Sequence, residues 1–194
     1  MMHSSNNRKD QIVFAALEII SEEGAKKLTM KKIAEKIGIS DAALYRHFKN
    51  KRQIMQAMIE KVGQSLTGSI STAVANIENP VEKLREILRI HLSYLENNKG
   101  IPRLVFSEEV HQNDPMLRSS VLRMVNHYLD LIRGILVRAR ETGQIRSDID
   151  VEATAIGFLG LVQAMALLWS LSGFQFEISE KAPALWRVFS ESLK

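Results

Sequence analysis

The sequence predicts an all-α protein, with an N-terminal three-helix domain that contains a helix-turn-helix motif and a C-terminal helical bundle. Three observations lead to this prediction. Apolar residues recur at helical spacing in nearly every segment, no segment alternates as a strand would, and glycine, proline and capping residues separate the periodic runs. With 194 residues and no cysteine, the chain can bury a sizeable core without disulfides.

The N-terminal segment carries the pattern of three helices. Its apolar positions predict a first helix from about Asn7 to Glu23, which Gly24 ends. Thr29 can cap a second helix, Gly38 supplies a positive-φ residue that stops it, and Ser40 can cap a third. Two helices joined by such a turn form a motif that places its second helix in the major groove of DNA.

One face of the third helix is predicted to meet DNA. Leu44 and Phe48 lie one turn apart and should point into the core. The opposite face then carries Asp41, Ala42, Tyr45, Arg46 and Lys49. Arg46 can make a bidentate contact to guanine, and Ala42 or Ala43 could touch a thymine methyl group.

The net charge is concentrated in this N-terminal segment. Residues 1–51 hold ten Lys or Arg and six Asp or Glu, whereas residues 52–194 hold sixteen of each. The whole formal charge of +4 therefore lies on the helix-turn-helix fragment, as expected of a segment that attracts phosphates. The polar residues 1–10 argue against a cleaved secretion signal, and together with the lack of cysteine they predict a cytoplasmic protein.

The rest of the chain predicts five further helices. They run from Lys51 to about Ala75, from Pro80 to near Gly100, from Pro115 to Thr142, from Val151 to about Leu171 and from about Ser179 onward, with an irregular connection around Pro102. The fourth of these lies in a run without charge between Glu152 and Glu177. Its length would also suit a membrane span, but polar and small residues dilute it, so burial in the core of a bundle or dimer is favoured.

The spacing of thirteen residues gives this chain a family resemblance. The residues are Thr29, Lys31, Ile33-Ala34, Gly38-Ile39-Ser40, Leu44-Tyr45, His47-Phe48, Lys51 and Ile54. With them, residues 8–62 resemble the TetR family of bacterial transcriptional repressors. The resemblance implies a homodimer in which each C-terminal domain holds a small-molecule pocket and dimerises through two long helices, here Pro115 to Thr142 and Val151 to Leu171.

The resemblance also implies domains and DNA contacts. We expect a DNA-binding domain over residues 1–52, linked through the helix of about residues 51–75 to an effector-binding and dimerisation domain over residues 53–194. Phosphate contacts are implied for Thr29, Tyr45, His47 and Lys51, and positions near base edges for Lys31, Asp41, Ala42, Ala43 and Arg46. The physical chemistry agrees, because Thr29 stands at a helix N-terminus and Lys51 would follow the reading helix as a free point charge. Asp41 is better suited to supporting the helix start than to touching a base.

Two kinds of site are considered in the C-terminal domain. An organic effector could bind among Met124, His127, Tyr128, Phe158, Leu161, Met165 and Trp169, although each of these residues could instead belong to the core or the dimer interface. Glu108 with His111, and His127 with Asp130, have the spacing of metal ligands on a helix. Solvent-facing or hydrogen-bonded histidines are the commoner outcome, so neither a metal nor another cofactor is predicted.

The expected function is that of a ligand-responsive transcriptional regulator, a repressor by family habit, that binds a palindromic operator as a dimer. Its predicted partners are double-stranded DNA, a small-molecule effector and a second copy of the chain, with no membrane. Two alternatives remain: a nucleoid or division factor of the same fold, and a helical metal-dependent enzyme. The enzyme is disfavoured because the sequence has no nucleophile elbow, no phosphate-binding loop and no His-Glu-x-x-His motif, and no catalytic residue is predicted.

Overall fold

Within the described part of the chain, nine α-helices and no strand are found, which confirms the all-α prediction. The computed structural model describes the backbone of residues 3–194 and the side chains of residues 8–111 and 114–194. The helices are α1 (His3–Glu23), α2 (Met30–Lys36), α3 (Asp41–His47), α4 (Lys51–Val74), α5 (Pro80–Glu96), α6 (Gly100–Val105), α7 (Pro115–Glu141), α8 (Val151–Leu171) and α9 (Ala182–Glu191).

Several helix bounds differ from the sequence prediction. The first helix begins at His3 rather than near Asn7. The segment around Pro102, expected to be irregular, forms the short helix α6, because proline is tolerated in the first turn of a helix. The last helix begins at Ala182, after a 3₁₀ turn over Ser179–Lys181.

The chain divides into two compact units that do not follow chain order. The first unit comprises residues 1–63 and 98–124, and the second comprises residues 64–97 and 125–194. Helices α4 and α7 each begin in the first unit and end in the second. The predicted domain boundary after residue 52 is a division along the chain, and it stays a prediction.

The core of the first unit contains the helix-turn-helix. Apolar residues of α1, α2 and α3 are buried in it: Ile12, Ala16, Ile19, Ile20, Ile33, Ala34, Leu44 and Phe48. Gly24 and Gly38 end the first two helices with φ angles of 87° and 66°, which side chains with a Cβ rarely adopt. The predicted turn chemistry is thus confirmed.

Helix α6 packs closely against α1 in the same unit. Ile101 and Leu104 are buried, and the Arg103 guanidinium donates a hydrogen bond to the Ser21 carbonyl. At Gly100 a Cβ atom would lie 2.4 Å from the Leu17 carbonyl oxygen. Only glycine therefore allows this approach of the two backbones.

The second unit packs around the apolar faces of α5, α8 and α9. Leu84, Ile87, Leu88 and Leu92 of α5 are fully buried. Trp169 of α8 is also buried, and its Nε1 donates a hydrogen bond of 2.7 Å to the Phe176 carbonyl. This bond satisfies the one polar atom of a large core side chain.

Helix α8 is buried on one face only within the single chain, so burial of its other face in a dimer stays a prediction. Ala155, Phe158, Leu159, Val162, Ala166 and Trp169 face the core. The exposed face lies along one side of the helix, and we call it the α8 stripe: Ala153, Ile156, Gly157, Gln163, Ala164, Leu167, Leu168 and Leu171. Among the described helices α8 alone is long and apolar enough to cross a membrane by length and composition.

The close approach at Gly100 gives a stability prediction. We expect Gly100→Ala to lower the free energy of unfolding by about 1–3 kcal/mol, because the new methyl group must displace backbone atoms of α1. A matched control is Gly68→Ala in α4, where a Cβ meets nothing within 4 Å. There we expect a gain of about 0.5–1 kcal/mol, since alanine loses less conformational entropy in a helix. Chemical denaturation would contradict the packing argument if the two variants had the same stability.

Candidate functional site

The outer face of α3 is positioned by two anchors and a cap. Leu44 is fully buried and Phe48, which follows the helix, is nearly so. The Ser40 hydroxyl accepts a hydrogen bond of 3.2 Å from the Ala43 amide and so caps the helix start. The residues left exposed are those that the sequence predicted: Asp41, Ala42, Tyr45, Arg46 and Lys49. Ala43 and His47 are half-buried.

Thr29 combines a structural and a possible DNA-contacting role. Its hydroxyl oxygen accepts a hydrogen bond of 3.2 Å from the Lys32 amide and caps α2. The hydroxyl proton is then left to donate to another acceptor. A phosphate oxygen at this position would also meet the positive end of the α2 dipole.

Most of the positive charge of α2 is compensated by acidic residues. The Lys32 ammonium forms an ion pair with Glu23 of α1, and Lys36 lies 3.3 Å from Glu22. Although desolvation lowers it, the pKa of Lys36 is raised overall by its hydrogen bonds and charge interactions with Glu22 and Glu18. Lys31 lies 3.8 Å from Glu35 on an exposed surface. The basic face of α2 therefore contributes less to DNA attraction than its sequence implies.

Lys51 is not the free point charge that the sequence predicted. Its Nζ donates a hydrogen bond of 2.9 Å to the Ala25 carbonyl, and the side chain is half-buried. The bond ties the first turn of α4 to the connection between α1 and α2. Since an ammonium group has three N–H donors, a phosphate contact through another donor stays a prediction.

Four cations are left as the exposed positive groups of the helix-turn-helix. Arg46 and Lys49 lie at the end of α3, and Lys26 and Lys27 lie in the 3₁₀ turn before α2. None of the four forms an ion pair with a side chain in the described ranges. Sequence reasoning placed Lys49 on the face predicted to meet DNA, but it did not select Lys26 or Lys27, because it had no means of telling compensated from uncompensated charges.

The candidate effector residues are only partly assembled. Tyr128, Phe158 and Trp169 are buried in the second unit, Leu161 and Met165 are half-buried there, and His127 is exposed. Met124 lies in the first unit. Phe158 stacks edge-on against Phe189 at 5.1 Å, so it already has a core partner. A surface cavity of about 410 Å³ in the second unit is lined by other residues, among them Arg85, Arg89 and Trp186.

His91 is a buried polar residue that sequence reasoning did not include among the candidate effector residues. Its Nδ1 lies 3.0 Å from the Tyr128 hydroxyl, and the two rings meet edge-on at 5.0 Å. Burial lowers the pKa of His91 to about 4 and raises the pKa of Tyr128, so both side chains are neutral at pH 7. The pair presents hydrogen-bonding groups within an apolar core, which is the composition of many ligand sites.

The candidate metal ligands are not brought together. No group of three or more His, Cys, Asp or Glu able to hold a metal ion occurs among the side chains that the structure describes. His111 Nε2 lies 2.8 Å from the Val105 carbonyl, and Asp130 lies 2.6 Å from Arg133. Because a carbonyl can only accept, His111 Nε2 carries a proton and has no lone pair for a metal. Glu108 and His127 are exposed.

Comparison with known proteins gives family matches from residue 12 to residue 192. A family model described as bacterial regulatory proteins, tetR family, matches residues 12–58. A second model, described as YsiA-like protein, C-terminal region, matches residues 55–192. Among curated relatives, the nucleoid occlusion factor SlmA of Vibrio atlanticus (strain LGP32) is 28% identical over 97% of both chains. That of Vibrio vulnificus (strain YJ016) is 27% identical over the same shares.

Solved structures share the fold. The fatty acid degradation regulator FadR from Bacillus halodurans superposes with a TM-score of 0.86 at 20% identity and covers 93% of each chain. The transcriptional regulator FadR from Bacillus subtilis, solved in complex with stearoyl-CoA, has a TM-score of 0.83 at 24% identity. It covers 95% of this chain and 98% of that one.

The bond from Lys51 to the Ala25 carbonyl predicts a stability effect. We expect Lys51→Ala to lower the free energy of unfolding by about 1 kcal/mol, because a hydrogen bond from a charged donor is lost. Lys49→Ala removes the same charge from an exposed position and should leave stability within about 0.5 kcal/mol of the parent. Urea denaturation measures both variants, and equal stability would show that the Lys51 bond contributes nothing.

The buried His91 predicts a pH dependence of stability. In the unfolded chain His91 binds a proton near its ordinary pKa of 6.5, whereas in the fold it does so only at about 4. Stability is therefore fully present above pH 6.5 and falls as the pH drops from 6.5 to 4, by an amount on the order of 3 kcal/mol. His91→Gln removes this titration, so its unfolding free energy should change less steeply over the same window. Parallel profiles for the two proteins would contradict the assignment.

Proposed function

Because the chain belongs to the TetR family of bacterial regulatory proteins, we propose that it is a transcriptional repressor that binds a palindromic operator as a homodimer and is released by a small molecule. The observation that carries the proposal is the outer face of α3. It presents Tyr45 and Arg46 on a capped helix whose opposite face is buried, and Lys49 follows just after the end of the helix. Such a helix can enter the major groove while the adjacent cations bind the phosphates.

We assign the contacts at the operator by side-chain chemistry. Arg46 reads a base edge, while Ala42 and Ala43 keep the helix surface low enough for close approach to thymine methyl groups. The phosphate contacts come from Thr29, Tyr45, His47, Lys49 and Lys51, with Lys31 and Asp41 at the margin of the base contacts. Lys26 and Lys27 add uncompensated charge and strengthen binding to every sequence.

A second copy of the chain covers the α8 stripe. Ile156, Leu168 and Leu171 are 53%, 58% and 75% exposed, which is more apolar surface than a single helix of a monomer usually leaves in water. These exposed residues recur at helical spacing, as they do in a helix that packs against another helix. Two copies joined there would present two α3 helices to half-sites about one turn of DNA apart, or a multiple of it.

The effector is an apolar small molecule with at least one hydrogen-bonding group. The buried aromatic residues of the second unit and the half-buried Met165 supply apolar surface, and the Tyr128–His91 pair supplies a polar partner. Suppose that the compound binds best when the two α3 helices are too close or too far apart for the operator. The compound then weakens DNA binding by a certain factor, and DNA weakens binding of the compound by the same factor. No covalent step is needed, so we assign a regulator and not an enzyme. We place it in the cytoplasm, where it would meet chromosomal DNA.

A second candidate function follows from the curated relatives. The SlmA proteins match over 97% of both chains and are nucleoid occlusion factors. A factor of that kind would occupy many chromosomal sites without controlling nearby genes. Mapping binding sites across the genome separates the two functions, because a repressor should occupy a few promoters whose transcription rises when the gene is deleted.

Substitution of Arg46 tests the reading of DNA. With an operator selected from random duplexes, we expect Arg46→Ala to weaken binding by about 1–3 kcal/mol and to relax preference at one position of each half-site. Lys49→Ala should instead weaken binding to all sequences and reduce the slope of log affinity against log salt by about 1. Arg187→Ala, which removes an exposed charge from α9, serves as the control. If Arg46→Ala and Arg187→Ala lost the same amount of operator affinity, Arg46 would not be a DNA contact.

Substitution within the α8 stripe tests dimerisation. We expect Leu168→Glu to give a monomer at micromolar concentration, because two carboxylates would be buried against apolar neighbours. Val188→Glu on α9 is the matched control, since Val188 is 69% exposed but lies outside the stripe. Sedimentation velocity distinguishes the two variants. A Leu168→Glu protein that stays dimeric would place the interface elsewhere.

A further inference from the structure

The first turn of α4 is held at two consecutive residues. Lys51 is bonded to the Ala25 carbonyl, and the guanidinium of the next residue, Arg52, forms an ion pair with Asp114. Helix α4 begins four residues after the end of α3, with Phe48 buried between them. Whatever fixes this first turn therefore also fixes the C-terminal end of α3.

Asp114 is a buried carboxylate that serves two elements. Its Oδ1 accepts hydrogen bonds from the Met116 amide at 2.9 Å and the Leu117 amide at 3.3 Å, so it caps α7. Its other oxygen, Oδ2, meets Arg52. Burial alone would raise the pKa of Asp114, but the two amide bonds and the guanidinium outweigh it and lower the pKa. The carboxylate is thus charged at neutral pH and holds α4 and α7 to each other.

Helices α4 and α7 touch again further along the first unit. A Cβ on Gly63 would lie 2.9 Å from Met124 Cγ, so the two helices pack closely there. From Arg52 to Gly63 is about 16 Å along α4, and from Asp114 to Met124 is about 15 Å along α7, at the standard helical rise. The two contacts between α4 and α7 are thus separated by similar lengths of each helix and follow the same direction along the chain. Both helices then continue into the second unit.

We propose that the Arg52–Asp114 ion pair positions α3 for DNA and is the link through which a shift of α7 changes DNA affinity. Arg52 is then a positioning residue and not a DNA contact. An axial or rotational displacement of α7 moves the Asp114 carboxylate, and the guanidinium carries the first turn of α4 with it. The inference rests on the proposed function, since it assumes an operator for α3 to read.

Two single substitutions isolate the pair. Asp114→Asn keeps an oxygen that can accept the two amide bonds of the α7 cap, but it removes the charge that holds Arg52. Arg52→Gln removes the guanidinium and leaves the cap untouched. Arg89→Gln is the matched control, because Arg89 forms a two-point ion pair with Glu86, at 2.9 and 2.5 Å, in the second unit.

The affinity for a selected operator gives the first measurement. We expect each single variant to bind at least about fivefold more weakly than the parent, and the double variant to bind no more weakly than either single, because both remove one coupling. The salt dependence of binding should be unchanged, since no phosphate contact is lost. Arg52→Lys, which keeps a positive charge, should recover part of the loss, and Arg89→Gln should bind like the parent.

Hydrogen exchange is the second measurement. If the Arg52–Asp114 pair only added stability and did not position α3, its loss would not change amide exchange in α3 of the folded protein. In the two single variants we expect faster amide exchange in residues 41–49 than in the parent, at temperatures where all the proteins are folded. Unchanged operator affinity in both variants would overturn the inference. So would a reduced salt slope in Arg52→Gln with no effect of Asp114→Asn, because Arg52 would then be a phosphate contact. If the parent protein binds no duplex at all, the proposed function itself fails, which is a distinct result.

Discussion

The burial of Leu44 and Phe48 is the constraint on which the rest of the structure depends. Helix α3 has seven residues, which is too short to be stable by itself in water. Its existence and its orientation come from these two side chains in the core and from the Ser40 cap. Because one face is held inside, the other is presented to solvent without freedom to rotate, and this preorganisation makes the face suitable for reading DNA.

Electrostatic interactions within the first unit decide where its positive charge is available. Glutamates of α1 compensate Lys32 and Lys36, so these lysines attach α2 to α1. Exposed ion pairs of this kind contribute little to stability, but they remove the charge from the field that DNA would meet. Four exposed cations without such a partner among the described side chains, Lys26, Lys27, Arg46 and Lys49, lie in the turn before α2 and at the end of α3, where they attract phosphates beside the reading helix.

The second unit divides its apolar residues between a core and a surface. Helix α8 supplies both, because both of its faces are mainly apolar and only one is buried within the chain. The same composition explains why length and hydrophobicity alone would also suit a membrane. In the proposed dimer, a second copy of the chain covers this stripe. The buried His91–Tyr128 pair differs from its surroundings, since hydrogen bonding is what permits polar groups in that core.

Much of this protein was determined by local sequence. The three N-terminal helices and the exposed residues of α3 could be predicted from local signals. These signals are helical periodicity, the caps at Thr29 and Ser40 and the glycine at residue 38, and each acts within a few residues of the chain. Tertiary structure alone decided that Lys51 bonds to a carbonyl 26 residues away, that Asp114 meets Arg52 and that α8 keeps one face uncovered. These features depend on which distant segments become neighbours in the fold. The residues that flank a lysine, an aspartate or a leucine in the sequence are the same whether or not a distant partner packs against it.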